Sequence, residues 1–399
     1  MLKVNGRSYA LFAITVVLVG LNLRPIMAAI GPVLDTIQND TGIGDLSAGL
    51  LTTLPVFAMG LFALLGGLLQ RTLGAERTVL YSLIVLGVAS LGRLYFHGAT
   101  GLIVTAAMGG VGIALIQAVM PGIIKRDHSD KADQLMALYT VGIMGGAMLA
   151  SSLVAPISAV SSWPFALAVW GALAIIALIS WLIVSSPPSN VDSERGPRLP
   201  ISSGRAWFLL IFFGIGTSAY TLVLAWLPPF YVQLGWSSTA SGLLLGGLTL
   251  AEVVAAVGLS SIVHRFPDRR PVLYTILVMI SLGLTSLIIA PEALVIPGLL
   301  LLGFGIGGLF PMSLIIAMDH LEKVSQAGAL MGFVQGGGYI IASLMPFIAG
   351  LLRGVFDDLT MAWIIMLAGI FIQLLMVSAL APNYFLSSED WSLKKAAME

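Results

Sequence analysis

Apolar residues run along this chain in twelve long stretches that are separated by short polar segments. A helix rises 1.5 Å per residue, so about 20 apolar residues are needed to cross the roughly 30 Å hydrocarbon core of a bilayer. Every stretch is about that long. We therefore predict an all-α membrane protein with twelve transmembrane helices. The predicted spans are residues 9–34, 46–69, 78–96, 101–124, 134–157, 163–184, 206–232, 240–263, 271–290, 294–318, 326–352 and 361–381.

The composition agrees with this pattern and narrows the possible functions. Hydrophobic residues make up 58% of the 399 residues and charged residues only 10%, against about 25% charged residues in a soluble domain. The net charge is zero, which argues against nucleic acid as a partner. There is no cysteine, and the four histidines lie in loops or at span ends. We therefore expect no cofactor and no metal centre inside the membrane.

The two halves of the chain repeat one another in the same direction. Residues 77–83 (RTVLYSL) recur as residues 270–276 (RPVLYTI), and matched small residues occur in the same order on both sides of each copy. Parallel repeats of this kind are typical of transporters built from two bundles. We predict an N-terminal six-helix bundle over 1–184, a cytoplasmic linker over 185–204, a C-terminal six-helix bundle over 205–381 and a cytoplasmic tail over 382–399.

Lysine and arginine are distributed unevenly among the polar segments. If the N-terminus is inside, the inner segments hold nearly all of these residues, while the outer loops carry acidic ones such as Asp35, Asp40 and Asp45. Short loops rich in lysine and arginine stay in the cytoplasm. We therefore expect both termini in the cytoplasm and a multi-pass protein of the inner membrane.

Several motifs along the chain resemble those of one transporter family. The motifs are Gly20–Pro25 (GLNLRP), Leu51–Pro55 (LTTLP), Gly109–Pro121 (GGVGIALIQAVMP), Ala225–Pro228 (AWLP), Phe310-Pro311 and Asp319-His320. Over nearly its whole length the chain is similar to the cyanate and 2-nitroimidazole transporter family of the major facilitator superfamily, and more so to the cyanate branch. This resemblance implies two six-helix bundles around a central cavity and a small, anionic solute.

Arg24 is the only charge in the first apolar stretch. A guanidinium near the bilayer midplane costs about 2.5–3.5 kcal/mol on insertion scales, so it normally faces a watery cavity or a partner. Pro25 loosens the helix beside it, and Asn22 together with Arg24 can present donors to an anion. Two interpretations stay open. Arg24 binds the solute directly, which we favour, or it pairs permanently with a carboxylate and locks a bundle.

Glu252 is the only carboxylate deep within a span. Three interpretations compete for it: a proton-coupling site, a resting counter-ion to Arg24, and a neutral residue that only makes a structural hydrogen bond. The first two can coexist, because a pair that opens when an anion binds Arg24 would link the anion to a proton. The resemblance weakens the case, since it implies an uncharged polar residue here in cyanate-transporting members.

Neutral polar and aromatic residues near the middle of other spans complete the candidate site. An amide or a tyrosine hydroxyl that faces a cavity can orient a small anion. However, a polar side chain in a span often only bonds to the neighbouring helix, and aromatic residues there are usually packing. We weigh the two alternatives equally for Gln117, and expect only one or two of the others to touch the solute. The candidates are Gln117, Tyr139, Tyr220, Trp226, Gln335 and Tyr339.

Charged residues at span ends and glycine runs inside spans suggest moving parts. We expect Arg93 and Arg353 to form ion pairs that close an outer gate. Their expected partners are Asp40, Asp45 and Asp357. The charged segments 125–128 and 319–323 are either solvated anchors or a candidate inner gate, whose salt bridges between the bundles would hold the outward-facing state. The glycine runs form helix interfaces that either slide or simply pack tightly.

We predict a secondary transporter and not an enzyme, since the spans offer no cluster of catalytic groups. No nucleotide-binding motif is present, so ion or solute gradients must supply the energy. The expected mechanism is alternating access, in which two bundles rock around a midplane site that contains Arg24, with protons as the candidate coupling ion. The alternative is efflux of nitroimidazole-like or other amphipathic drugs, which would tolerate the loss of Arg24. We expect a monomer in the lipid bilayer.

Overall fold

The structure is a computed structural model that describes residues 6–185, 199–321 and 326–381, with only the backbone described for residues 6–8 and 66–73. Most of the predicted linker and the predicted C-terminal tail lie outside these residues. Regular secondary structure in the described part is helical. The α-helices are α1 (Gly6–Leu21), α2 (Pro25–Ala28), α3 (Leu34–Thr41), α4 (Asp45–Leu73), α5 (Ala75–Gly92), α6 (Ala99–Asp127), α7 (Ala132–Val160), α8 (Trp163–Ala168), α9 (Trp170–Val184), α10 (Gly204–Gln233), α11 (Ser238–Ile262), α12 (Arg270–Ile289), α13 (Val295–Asp319), α14 (Ala327–Phe356) and α15 (Thr360–Val377).

Within the described residues, twelve helical stretches are long and apolar enough to cross a membrane. This confirms the predicted number of spans, and each predicted span overlaps one of these stretches. Ten of the stretches rest on one long helix each, while the first combines α1, α2 and α3 and the sixth combines α8 and α9.

Local sequence explains where several helices begin and end. The hydroxyl groups of Ser162, Ser203 and Ser237 accept a hydrogen bond from the backbone N–H three residues later, and so cap α8, α10 and α11. Gly42 ends α3 with a φ of 69°, a left-handed conformation that glycine adopts without the steric penalty of a Cβ atom. These residues fix where the helices end and the loops begin, and none of them lines the cavity described below.

The first span is broken near its middle. α1 ends at Leu21, a turn follows, and α2 begins at Pro25. Arg24 has φ −120° and ψ −25°, because a proline disfavours the helical conformation of the residue before it. The proline also lacks the N–H group that would continue the helical ladder. The expected loosening at Pro25 is therefore a complete break of the helix, with Arg24 directly in it.

Helices from the two halves of the chain meet in two main pairs: α4 packs against α14, and α7 packs against α11. Small residues allow the backbones to approach closely at these contacts. A Cβ atom added to Gly60 on α4 would lie 2.6 Å from the carbonyl oxygen of Gly336 on α14, and one added to Gly242 on α11 would collide with the carbonyl oxygen of Ser151 on α7. Close packing of glycine therefore brings the halves together.

Other glycine runs hold helices within one half. Gly142 and Gly146 on α7 face the backbone of α1, and Gly303 and Gly307 on α13 face the backbone of α11. The expected glycine interfaces are thus present both between the halves and inside them. Those inside a half fix the helices that carry Arg24 and Glu252.

Candidate functional site

A cavity of about 350 Å³ lies between the two halves, beside the break in the first span. Its walls come from the break and from α6, α7, α10, α11, α13 and α14. Most of the lining is apolar, as is usual in small-molecule sites where a few polar groups fix the orientation of the ligand. The polar and charged residues that line it are Arg24, Gln117, Thr140, Thr217, Tyr220, Glu252, Ser260, Ser313 and Tyr339.

Arg24 reaches the cavity from the helix break and is only 5% exposed. Its Nη1 donates to the sulfur of Met59 at 3.6 Å, and a thioether is a weak acceptor. Its Cζ lies 5.6 Å from the centre of the Tyr220 ring, within the range of a cation–π interaction. Its Nε is buried without a hydrogen-bond partner. No ion pair of Arg24 occurs among the described residues.

Glu252 faces the same cavity from α11 and is 3% exposed. Both of its carboxylate oxygens are buried without a hydrogen-bond partner. Glu252 interacts electrostatically with Arg24, but no ion pair joins them in the part of the chain that the structure describes. A Cβ atom at Gly307 would collide with the backbone of Glu252, so α13 fixes this point of α11. The two halves of the chain thus contribute charges of opposite sign to one cavity.

Three tyrosines surround the guanidinium of Arg24. Tyr139 on α7, Tyr220 on α10 and Tyr339 on α14 all interact with it electrostatically. Tyr220 and Tyr339 line the cavity, whereas Tyr139 is buried outside the lining. The hydroxyl groups of Tyr139 and Tyr220 have no hydrogen-bond partner. Arg24 and Tyr220 therefore bring unpartnered donors to the cavity lining.

Asn22 lies close to Arg24 in sequence but not in the cavity lining. Its amide nitrogen donates to the carbonyl oxygen of Leu18 at 2.7 Å and to that of Leu173 at 3.3 Å. These bonds close the end of α1 and tie it to α9. The side chain of Asn22 therefore supports the helix break and does not line the cavity.

The remaining predicted residues divide between the lining and the helix interfaces. Gln117 lines the cavity from α6. The indole nitrogen of Trp226 on α10 donates to the carbonyl oxygen of Pro346 on α14 at 2.9 Å, so it joins these two helices. Gln335 is half-buried on α14 and is not among the lining residues. The structure therefore brings together Arg24, Gln117, Tyr220, Glu252 and Tyr339 from the predicted set.

Sequence reasoning missed the apolar face that continues from Glu252 along α11. Val253, Ala256, Val257 and Ser260 line the cavity with it. They follow Glu252 by one, four, five and eight residues, the spacing of one helix face. Counting helical positions from the buried carboxylate is the signal that could have identified them.

Arg93 has a role different from the one predicted. It is 1% exposed and forms no ion pair with an acidic residue within the described part of the chain. Its Nη1 donates to the carbonyl oxygen of Ile26 at 2.9 Å, and its Nε donates to the hydroxyl of Thr105 at 3.3 Å. Ile26 belongs to α2, directly after the break. Arg93 therefore fixes the broken segment and is not part of a gate.

The end of the molecule where α3 meets α4, the α3–α4 end, is closed by charged residues of both halves. Arg353 on α14 pairs with Asp35 at 2.9 Å and with Asp45 at 3.4 Å. It also donates to the side-chain oxygen of Gln38 at 3.3 Å. The pairing of Arg353 with Asp45 was predicted and is confirmed, while Asp35 is an additional partner. These bonds connect the first and second halves of the chain.

At the opposite end, where α6 leads into α7, the ion pairs stay within one half. Arg126 pairs with Glu76 at 2.6 Å, and Arg269 pairs with Asp319 at 3.0 Å. Among the described residues, no ion pair joins segment 125–128 to the other half in this conformation. The expected inner gate belongs to the outward-facing state, so it stays a prediction. Residues 322–325 of the second gate segment lie outside the described residues. The described ion pairs thus join the two halves at the α3–α4 end but not at this opposite end, the α6–α7 end.

The pKa values of Asp268 and His320, which lie outside the spans, are shifted from their usual values. Arg270 donates to the carboxylate of Asp268 and holds the pKa of that carboxyl below its usual value. Burial lowers the pKa of His320, which follows α13 and lies 2.8 Å from Arg205. Neither group lines the cavity, so both belong to the local structure of the α6–α7 end.

A sequence model of the Major Facilitator Superfamily matches residues 11–343 of the chain. The chain belongs to this superfamily and, within it, to the group that includes cyanate and 2-nitroimidazole transporters. It is 35% identical over 353 residues to the cyanate transport protein CynX of Escherichia coli (strain K12). The matched region covers 88% of this chain and 92% of that protein. It is 30% identical over 387 residues to the 2-nitroimidazole transporter of the same strain, covering 94% and 95%.

Solved structures agree with this assignment at the level of the fold. The D-xylose–proton symporter superposes with a TM-score of 0.75 at 15% sequence identity, over 94% of this chain and 98% of that one. The protein is therefore a multi-pass membrane transporter of the inner membrane, and its family and relatives transport solutes and are not enzymes. The predicted fold class, class of function and family resemblance are confirmed.

Proposed function

We propose that this protein moves a small anion across the membrane by alternating access, with Arg24 as the anion-binding group. The observation that supports this most directly is the position of the guanidinium. It lies in a helix break, lines the central cavity and has no carboxylate partner in the described structure. Broken helices at the midplane are common solute sites in transporters, and a planar guanidinium suits carboxylate-like anions.

The relatives support an anionic solute of small size. One of them is named for cyanate transport, and cyanate is a small linear anion that can accept hydrogen bonds from a guanidinium. The cavity of about 350 Å³ is large enough for such a solute with part of its hydration shell, or for a somewhat larger one. We propose cyanate-like and small organic anions as the substrate class.

The difference between the two ends supports alternating access. Ion pairs join the halves at the α3–α4 end, and the described ion pairs of the other end stay inside one half. The distribution of lysine and arginine favours the cytoplasm for the α6–α7 end. We therefore propose that this conformation faces inward, and that rocking of the two bundles exposes the same site to the other side.

Glu252 supports the finer proposal that protons are coupled to the movement of the anion. Its two buried oxygens have no hydrogen-bond partner, and it shares the cavity with Arg24. A carboxyl group in this setting can take up a proton on one side and release it on the other. The counter-ion role stays open for other conformations, since no ion pair with Arg24 is present in this one among the described residues.

The test of anion binding is uptake by reconstituted Arg24→Ala and Arg24→Lys variants, with cyanate and acetate as solutes. A hydrogen bond from a buried charged donor contributes about 1.5–3 kcal/mol, so Arg24→Ala should reduce transport efficiency by a factor of about 10–100. Arg24→Lys should retain part of the activity, because it keeps the charge but not the fork of donors.

The matched control for this experiment is Arg77→Ala, which removes the same charge from an exposed position outside the cavity. It should transport like wild type, and all variants should reach the membrane in equal amounts. Wild-type rates in Arg24→Ala would rule out the proposed anion site.

Efflux of amphipathic drugs is the second candidate, favoured by the largely apolar lining of the cavity and by the relative named as a 2-nitroimidazole transporter. A drug exporter that relied on apolar contacts would keep its activity in Arg24→Ala. The same variant therefore separates the two functions when 2-nitroimidazole export is measured beside anion uptake.

A further inference from the structure

Glu252 provides acceptors that no group in the described structure uses. Both oxygens are buried and have no hydrogen-bond partner. The polar side chains that share the cavity with it come from each surrounding element: Arg24 from the break, Gln117 from α6, Thr140 from α7, Tyr220 from α10, Ser313 from α13 and Tyr339 from α14. A buried carboxylate without a donor is costly, so a donor is needed when the site is filled.

Arg24 and its tyrosines provide the complementary set of donors. The Nε of Arg24 and the hydroxyl of Tyr220 are buried and unpartnered, and both residues line the cavity. These donors come from the helix break and from α10, whereas Glu252 comes from α11. The cavity therefore holds unused donors on Arg24 and Tyr220 and unused acceptors on Glu252.

Apolar side chains line the same cavity as these polar groups. Met144, Val253, Ile306 and Phe310 come from α7, α11 and α13. They favour a solute with an apolar body over one that is hydrated all round.

A simple anion satisfies only one side of this cavity. It can accept hydrogen bonds from Arg24, but it offers no donor to Glu252, and an ionised Glu252 would repel it. A solute that also carries an N–H group would satisfy both sides at once, because the N–H group donates to the carboxylate. Sites built to bond an N–H group reject analogues that lack it, since the buried polar group is then left unpaired.

We propose that the transported solute is a small molecule with an apolar body, an anionic or strongly accepting group that binds Arg24, and an N–H group that donates to Glu252. This inference rests on the proposed function for the position of the accepting group. It goes further by making Glu252 a specificity-determining residue that touches the solute.

The test compares heterocyclic acids that differ in one donor. Pyrrole-2-carboxylate and pyrrole-3-carboxylate carry a ring N–H, and furan-2-carboxylate and furan-3-carboxylate have the same shape and charge with a ring oxygen instead. Binding of the four acids to the purified full-length protein is measured by isothermal titration, with cyanate as a solute that has no donor. We expect at least one pyrrole acid to bind at least about tenfold more tightly than its furan counterpart.

Variants at Glu252 show whether this residue makes the distinction. Glu252→Leu should bind the two kinds of acid equally. Glu252→Gln should keep part of the preference, since its amide oxygen still accepts an N–H. The matched control is Ser261→Ala, which changes an exposed residue of α11 outside the cavity lining and should keep the full preference.

The outcomes separate this inference from the proposed function. Equal binding of pyrrole and furan acids to the wild-type protein, with binding still lost in Arg24→Ala, would overturn the inference and leave the anion site intact. Full pyrrole preference in a folded Glu252→Leu variant would also overturn it. If none of the acids and no cyanate bound to the wild-type protein, both proposals would fail.

Discussion

Glu252 and Arg24 are charged residues of opposite sign in one cavity, yet no ion pair joins them in the described structure. Each is more than nine-tenths buried, so each would be costly if it stayed permanently alone in a lipid-like environment. The arrangement is understandable if both groups take part in a transport cycle. In such a cycle the solute binds Arg24 and a proton binds Glu252, and these interactions replace the attraction between the two residues. A permanent structural pair would show them bonded to each other.

The proton-coupling role of Glu252 can be tested in liposomes. If a proton moves with the anion, an acidic exterior should accelerate cyanate uptake severalfold in wild type. Glu252→Gln cannot change its charge, so it should lose this response while it still exchanges external for internal solute. The matched control Glu292→Gln removes an exposed carboxylate and should respond like wild type. A full response to the pH gradient in Glu252→Gln would exclude this role.

At the scale of secondary-structure elements, the broken first span depends on side chains from other helices. A break exposes backbone groups that a membrane cannot hydrate. Arg93 follows α5 and donates to the carbonyl oxygen of Ile26 in α2, and the amide of Asn22 closes the end of α1. Hydrogen bonds on both sides of the break therefore position Arg24. They fix the backbone around Arg24 and do not involve the Arg24 side chain.

Removal of Arg93 should displace the break and weaken anion binding. In Arg93→Met the carbonyl of Ile26 loses its charged donor, a loss of about 1.5–3 kcal/mol, part of which should appear at Arg24. We expect the half-saturation concentration for anion uptake to rise about 5–50-fold, with a smaller change in maximal rate. Arg93→Lys, which keeps a charged donor, should recover part of this loss.

Initial uptake rates over a range of anion concentrations measure this effect, beside the amount of folded protein in the membrane. Arg77→Met serves as the control, since Arg77 is exposed. A half-saturation concentration equal to that of wild type in a folded Arg93→Met protein would contradict the positioning role.

The broken first span shows which features of the fold and of the site could be predicted from the sequence. Twelve spans were predictable, because the thickness of the membrane imposes a minimum length on every apolar run. Arg24 and Glu252 were predictable as residues that line the cavity, because charge inside a span is costly and therefore rare. The break itself was signalled by Pro25, although only as a loosening of the helix.

Contacts between distant residues could not be predicted in this way. Arg93 and Ile26 are 67 positions apart, and no local pattern connects a guanidinium to one carbonyl group. Gln335 and Tyr339 are one helical turn apart on α14, yet only Tyr339 lines the cavity. Which face of a helix meets the cavity depends on its packing against neighbours such as α4, and a single sequence does not contain that geometry.

At the scale of the whole molecule, the ion pairs that join the two halves among the described residues lie at one end. Arg353 bonds to Asp35 and Asp45 across the interface at the α3–α4 end, and its side chain is only 11% exposed. Partly buried ion pairs of this kind contribute more than exposed ones. They should therefore favour the conformation in which this end is closed and the cavity is reached from the other side.

Arg353→Ala should shift the protein towards the conformation that is open at the α3–α4 end. The chain has no cysteine, so a single introduced thiol can report on this opening. Thr53 is buried on α4, and its hydroxyl donates to the carbonyl oxygen of Ser343 on α14 at 2.9 Å. A thiol in Thr53→Cys is thus covered while the halves are in contact. If the ion pairs contribute about 1–2 kcal/mol in total, its labelling by a membrane-impermeant maleimide should accelerate about 5–30-fold when Arg353→Ala is added.

The control for this labelling experiment removes an arginine that forms no ion pair with the other half among the described residues. Arg77→Ala in the Thr53→Cys background should label at the rate of Thr53→Cys alone, because Arg77 is an exposed residue at the other end of the first half. Equal labelling rates with and without Arg353 would show that the ion pairs do not hold this end closed. In that case the close glycine contacts between α4 and α14 would be the main closing interaction, and Gly60→Ala would be expected to accelerate labelling instead.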